Sequence, residues 1–331
     1  MKKLTCLSAA LMLLAAVYLP AQAAQYPQKL VTVVVPSAAG SAPDIISRLL
    51  ADRLGAAWNE RFIVENRPGG NGIVAMHAMN RAKPDGYTLG VFHAASAVTT
   101  PYIYEAADFD IDRDSEVIAT IAYTPMMLVT AHKDKFPSLA ELVKIGKMPG
   151  NDDVVIGSPT RGSVPNLTIE MLQQLTGAKY RQVSFSGTSQ AITAAVSGDL
   201  SVYIDGVAPL VPLVKAGRLT ALAVTAPEKL PGFEDIPLAK DTVPGFLSTG
   251  WFALFAPKGT SPEILDSLNA KVRNVLAEPA AIERLKGLGT YPMVLSREDS
   301  RKFVSNEKNR WEKVITKAGL NVRNKSAAAP N

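Results

Sequence analysis

The sequence predicts an α/β protein, a parallel or mixed sheet covered by helices. Three observations carry this. Short β-branched or apolar runs alternate along the chain with segments of helical periodicity, the rhythm of βαβ units. Hydrophobic residues make up 47% and charged residues 20% of the 331, a composition that folds around a core instead of staying disordered. Beyond the N-terminal segment, no run reaches the roughly 20 apolar residues of a membrane-spanning helix, and no repeat is visible.

The elements follow in order. Residues 30–35 (LVTVVV) read as a buried strand ended by Pro36. After a loop over residues 37–43, Ile45, Ile46, Leu49, Leu50, Leu54 and Trp58 recur at helical spacing. Residues 62–64 form a second strand, and the turn-rich run from Asn66 through Arg67, Pro68, Gly69, Gly70 and Asn71 to Gly72 leads into another helix. Pro84-Asp85-Gly86 is a turn before a strand at residues 87–92. Further on, residues 126–129, 154–156, 201–204, 219–224 and 251–255 read as strands, and 166–175 as a helix. Ser261-Pro262-Glu263 and Ser296-Arg297-Glu298-Asp299 start two closing helices, the second carrying Phe303, Trp311, Val314 and Ile315. The small polar tail, residues 324–331, is expected to fray.

At the N-terminus, Lys2 and Lys3 precede an uncharged, mostly apolar run, then Pro20 and Ala21-Gln22-Ala23. This pattern predicts a secretory signal peptide over residues 1–23 and an exported, periplasmic protein. Cleavage after Ala23 removes Cys6, the single cysteine. The mature chain then has no disulfide, thiol nucleophile or cysteine-ligated metal. The formal charge of +5 is local, because residues 297–325 hold nine Lys/Arg against four Asp/Glu. A solvated basic helix accounts for it, and a nucleic-acid partner is not expected.

Enzyme signatures are missing: there is no G-x-S-x-G, H-E-x-x-H or G-x-x-x-x-G-K-[ST] pattern. His77, His93 and His132 lack metal-ligand spacing and read as surface or packing residues. Gly70-x-Gly72-x-x-Ala75 lies too far past its strand for a dinucleotide fingerprint and reads as a turn or binding loop. No cofactor, metal or catalytic residue is expected. What remains are four small-residue loops that enter helices, at residues 36–44, 66–73, 157–166 and 185–190. The start of a helix offers unpaired N–H groups and the positive end of its dipole, so several around one cleft suit a small carboxylate.

Six motifs carry a resemblance. They are Tyr26-Pro27-x-Lys29, Val64-Glu65-Asn66-Arg67-Pro68-Gly69, Pro84-Asp85-Gly86-Tyr87-Thr88-Leu89, Lys215-Ala216-Gly217-Arg218-Leu219, Ala221-Leu222-Ala223-Val224-Thr225 and Trp251-Phe252-x-Leu254-Phe255-Ala256-Pro257-x-Gly259-Thr260. Together, and in this order, they resemble the Bug family, the extracytoplasmic receptors of tripartite tricarboxylate transporters.

The resemblance implies a periplasmic-binding-protein type II-like fold of two α/β lobes, with a ligand cleft and two hinge crossings. Residues 24–123 and 226–331 would form the first lobe and 124–225 the second, with crossings near Tyr123 and Thr225. It implies a monomeric solute-binding receptor that closes on a small organic carboxylate and delivers it to membrane permease subunits. The implied site joins Ser37, Ala38, Ala39, Gly40, Ser41 and Asp44 of the first loop to Ser158, Thr160, Arg161, Gly162 and Ser163. Phe185, Ser186, Gly187 and Asp205 complete it.

Departures from the family pattern add detail. Ala39 and Ser41 replace a proline and a glycine, and Ser41 brings a hydroxyl to the ligand or caps the helix. Among the loops of the implied site, Arg161 is the one fixed cation and is expected to pair with a ligand carboxylate. Phe185-Ser186-Gly187 stands where the family has Tyr-Lys-Gly, implying a ligand of different polarity, bulkier or more aromatic. Asp205 is expected to order a loop or water. Two alternatives stay open: an exported hydrolase or isomerase with Asp44 or Asp205 as general base, and a sensory ligand-binding module.

Overall fold

A computed structural model describes residues 26–150 and 153–323, so the expected signal segment and the residues from 324 onward lie outside the described chain. The first strand, β1 (Val31–Val35), is a β-branched run and is almost wholly buried. Helix α1 (Ala42–Trp58) has Pro43 in its first turn and turns Ile46, Leu50 and Leu54 inward. Burial of such side chains contributes about 2 kcal/mol each. Asn59, in the left-handed conformation, ends the helix. Strand β2 (Phe62–Asn66), a short 3₁₀ turn (Gly70–Gly72), α2 (Ile73–Asn80) and β3 (Thr88–His93) follow. Both β2 and β3 run parallel to β1. A π turn (Ala95–Thr99), α3 (Thr100–Ile103) and α4 (Ile111–Asp114) lead into β4 (Ser115–Thr130).

Strand β4 is the spine of the molecule. The sequence marks only residues 126–129 as strand, yet one 16-residue strand runs through. Its first part pairs antiparallel with β9 (Thr249–Pro257), which in turn pairs with β3. The last β9 pair is Pro125 with Thr249, and from Met126 onward β4 pairs instead with β7 (Val202–Gly206) and, from Met127, with β8 (Thr220–Val224). Pro125 donates no ladder hydrogen bond, which suits it to the point where the partner changes.

The second half holds α5 (Leu139–Gly146), β5 (Val155–Ser158), α6 (Val164–Thr176), β6 (Arg181–Ser184), α7 (Thr188–Ser197) and α8 (Val207–Lys215). Strand β5 runs parallel to β6 and β7. A short helix, α9 (Ala239–Thr242), precedes β9. The chain closes with α10 (Pro262–Leu276), α11 (Pro279–Gly287), β10 (Tyr291–Pro292) against β4, and α12 (Arg297–Lys317). The Ser261 and Ser296 hydroxyls accept the N–H groups of Ile264 and Asp299, as the cap patterns predict. The result is the expected mixed α/β architecture, two half-sheets joined through β4 with helices on their faces.

Residues between β8 and β9 stay with the second half. Val224 bridges Leu238, and Leu230 and Leu238 pack with Val129, Ala191 and Leu210.

Candidate functional site

In both halves, strands that end at the middle of the molecule lead into helices, β7 directly and β1, β5 and β6 through short loops. The starts of α1, α6, α7 and α8 meet in one cleft of about 550 Å³, lined there by Ala42 and Pro43, by Thr160, Ser163, Val164 and Pro165, by Thr188, and by Gly206, Ala208 and Pro209. Asn71, His93, Ala94 and Ala95 close it from the first half, with Leu288 and Thr290. Its floor is the strand crossing itself: Thr124, Met126, Gly250, Trp251 and Phe252. The described residues lining the cleft include no lysine or arginine. A bound anion is therefore met by helix ends and hydroxyls.

Of the residues expected at the site, Thr160, Ser163 and Asp205 line this cleft. Asp205 is 8% exposed. Its Oδ2 accepts from Tyr203 OH at 2.7 Å and Thr188 Oγ1 at 3.0 Å, and its Oδ1 from the Gly206 N–H at 2.7 Å. Burial pushes its carboxyl above the ordinary range, against the pull of these three donors. Burial, with Asp205 beside it, also raises the Tyr203 phenol.

Asp44 sits beneath the first loop and not in the cleft wall. Gly40 N–H and Arg48 Nε donate to its Oδ2 at 2.9 and 3.1 Å, while Asn66 Nδ2 and Arg48 Nη2 reach its Oδ1 at 2.8 and 2.9 Å. Burial alone would raise this carboxyl, but the Arg48, Gly40 and Asn66 hydrogen bonds outweigh it and hold the group below its usual range. With its lone pairs so engaged, Asp44 organises the loop that carries Ser37, Ala38, Ala39, Gly40 and Ser41. Asn66 Nδ2 also donates to the Ser37 carbonyl. Ser41 stands at the N-cap position of α1, but its hydroxyl turns back to the Ala38 carbonyl at 2.7 Å and makes no cap bond.

The remaining expected residues frame the cleft from outside its wall. The Ser158 hydroxyl lies 3.2 Å from that of Ser184. Gly162 N–H donates to Asn166 Oδ1 at 2.9 Å. Arg161 is exposed beside Thr160. Phe185 packs against the core of the second half. Ser186 Oγ donates to Gln190, and Gly187 caps α7.

The sequence does not single out several wall residues. Asn71 adopts a left-handed conformation, φ 52°, and its Nδ2 donates to Thr100 Oγ1 at 2.7 Å. The turn-rich run around it is the signal. His93 is half-buried, and desolvation pushes its imidazole down to about 4, so it is neutral at neutral pH. Its Nδ1 accepts the Ser96 N–H at 3.3 Å. Trp251 offers the cleft only ring carbons, because its Nε1 donates to Glu307 Oε2 at 3.1 Å. Trp311 Nε1 donates to the same oxygen at 3.2 Å, and Arg310 Nη2 lies 3.0 Å from Oε1. Burial raises the Glu307 carboxyl despite Arg310 and the two indoles. No group of acidic, histidine and cysteine side chains among the described residues is arranged to hold a metal. No described helix is long and apolar enough to cross a membrane.

Comparison with known proteins adds a family to this geometry. Residues 46–320 match the tripartite tricarboxylate transporter family receptor. A UPF0065 protein of Bordetella bronchiseptica is 31% identical over 91% of this chain and 89% of its own length. An R. palustris protein solved with adipate is similar in structure, with a TM-score of 0.76, 29% identity and coverage of 89% of this chain and 99% of that one. MatC from Rhodopseudomonas palustris, solved with bound malate, gives a TM-score of 0.72 at 29% identity, covering 88% of this chain and all of MatC.

Proposed function

The chain belongs to the receptor family of tripartite tricarboxylate transporters, and we propose that it is a periplasmic receptor that captures a small organic carboxylate and delivers it to membrane permease subunits. The single observation that carries this reading is the cleft: four helix starts converge on it without a basic side chain. Such a site holds an anion firmly enough to be selective, yet without the ion pairs that slow release. The ligand-bound relatives with adipate and malate support the carboxylate class.

In this reading the two halves are lobes that close on the ligand about the strand crossing. One crossing is at Thr124–Met126 of β4, where its partner changes. We place the return at residues 248–250 and not near Thr225, because the segment after β8 packs on the second half. The protein works as an exported monomer after loss of residues 1–23. Asp44 and Asp205 serve the architecture of the site and not proton abstraction.

The test is a thermal-shift screen of ligand-free protein against mono-, di- and tricarboxylates and their amides. A true ligand raises the melting temperature by mass action and is recovered chemically unchanged. If the whole panel leaves the melting temperature where it was, the receptor reading fails.

A further inference from the structure

Prolines line the cleft from both halves. Pro43 is the second residue of α1, Pro165 the second of α6 and Pro209 the third of α8, while Pro159 lies in the loop before α6. A first-turn proline suits a helix, because the N–H it lacks would have no partner within that helix. In a ligand cleft the same residue removes a donor and presents ring carbons instead. Leu288 from the first half and Met126 on the floor extend this apolar surface.

Most polar side chains of the wall are already engaged inside the protein. The Ser163 hydroxyl donates to the Thr160 carbonyl at 2.6 Å, that of Thr188 to Asp205 at 3.0 Å and that of Thr290 to the Leu285 carbonyl at 2.8 Å. The Trp251 N–H goes to Glu307, Asn71 Nδ2 goes to Thr100, and Asp205 takes three donors. The hydroxyls of Thr124 and Thr160 make no such bond among the described residues. A carboxylate claims them ahead of a neutral group, because charge-assisted hydrogen bonds are roughly twice as strong.

We propose that the cleft sorts carboxylates by their body, favouring an unbroken hydrocarbon chain or aromatic ring over one that carries hydroxyl groups. This rests on the receptor reading and narrows its ligand class. A hydroxyl placed among the proline rings, Leu288 and Met126 gives up its water and meets no side-chain partner in exchange. A bare body meets no such penalty and buries its apolar surface against both halves. The number of carboxylates is a separate matter, which this wall leaves open.

Matched pairs test it by isothermal titration of ligand-free protein at neutral pH. The aliphatic arm compares succinate with malate and glutarate with 3-hydroxyglutarate. The aromatic arm compares benzoate with 4-hydroxybenzoate and phenylacetate with mandelate, so the two arms tell a chain from a ring. In any pair that binds, the hydroxylated member is expected to bind at least about tenfold more weakly. Titrations at two temperatures should give the favoured acid a negative heat-capacity change, the mark of buried apolar surface. A hydroxylated acid that binds as tightly as its bare partner overturns the proposal, and so does a heat-capacity change of zero. A ligand found only in the broader carboxylate screen is judged by the same comparison with its hydroxylated or bare counterpart. Silence across both arms and that screen strikes the receptor reading itself, and this proposal falls with it.

Discussion

The Thr99 hydroxyl reaches the Gly162 carbonyl at 3.2 Å, both residues buried, and so ties the π turn after β3 to the loop that opens α6. The two residues lie 63 positions apart in sequence, on opposite sides of the cleft. The same hydroxyl also lies 3.2 Å from the Ala95 carbonyl, whose residue lines the cleft. Thr99→Val keeps the volume and removes the donor, leaving a buried carbonyl unpaired. It is expected to cost about 1 kcal/mol and to weaken binding of a stabilising carboxylate about fivefold. Calorimetry beside a urea melt separates the two effects, and unchanged affinity would show that the contact does not help close the cleft.

The Asp44 carboxylate is expected to hold the first loop in place. Asp44→Asn loses the Arg48 pair and turns an acceptor into a donor facing the Gly40 N–H or Asn66 Nδ2. A loss of about 1–3 kcal/mol should follow. The sign of its pH dependence is fixed, because the folded carboxyl lies below its unfolded value. Its stabilisation is complete above the ordinary carboxyl range, about pH 4, and is lost as pH falls through the folded value. Acid unfolding curves should therefore converge for variant and parent at low pH and separate above it.

The strand and helix rhythm of the first half is legible because period and punctuation agree there: β-branched runs, Pro36, and Ser caps at Ser261 and Ser296. Residues 115–125 escape because they continue a marked strand across a partner change that only the fold creates. At the site, the 158–163 loop and Asp205 are readable from motif positions. Ser41 and Arg161 illustrate the opposite case. Their chemistry is visible in the sequence, but the direction of each side chain depends on the local turn, which bends the Ser41 hydroxyl to Ala38 and leaves Arg161 exposed beside the wall. His93 and Trp251 belong to strand ends, where pattern announces core and gives no hint that one edge meets a ligand.

Asp205 gives the opposite pH signature from Asp44. Its folded carboxyl lies above its unfolded value because burial disfavours the charge. The stability it contributes is present below the ordinary carboxyl range and is lost as pH rises through the folded value. In ligand-free protein, Asp205→Asn should gain on the parent as pH is raised from about 4. Paired melting curves across that range check it, and a constant gap would mean that Asp205 titrates as an ordinary carboxyl.

Gly289, just after α11, fits only without a side chain. Its φ is +61°, and a Cβ there would lie 2.6 Å from the Ala208 backbone nitrogen at the start of α8. Gly289→Ala is expected to destabilise by about 1–3 kcal/mol through overpacking. Gly287, with open space around it, supplies the control: Gly287→Ala should be close to neutral. Equal melting temperatures for the two variants would remove the steric argument.

Trp251 should report ligand arrival. Tryptophan occurs only at positions 58, 251 and 311. Trp58 stacks on Phe62 away from the cleft, and Trp311 is buried on the inner face of α12. Only Trp251 joins the cleft wall, with its N–H fixed on Glu307. A bound ligand fills the cleft that this buried indole backs and changes the polarity around it, so emission should change with saturation. Trp251→Phe removes the donor to Glu307 but leaves Trp311 and Arg310 as partners, so the variant should fold with a loss of about 1–3 kcal/mol. Its emission should no longer respond to a ligand whose binding calorimetry still detects. A response that persists in Trp251→Phe would transfer the signal to Trp311 and require that Glu307 itself moves when the cleft fills.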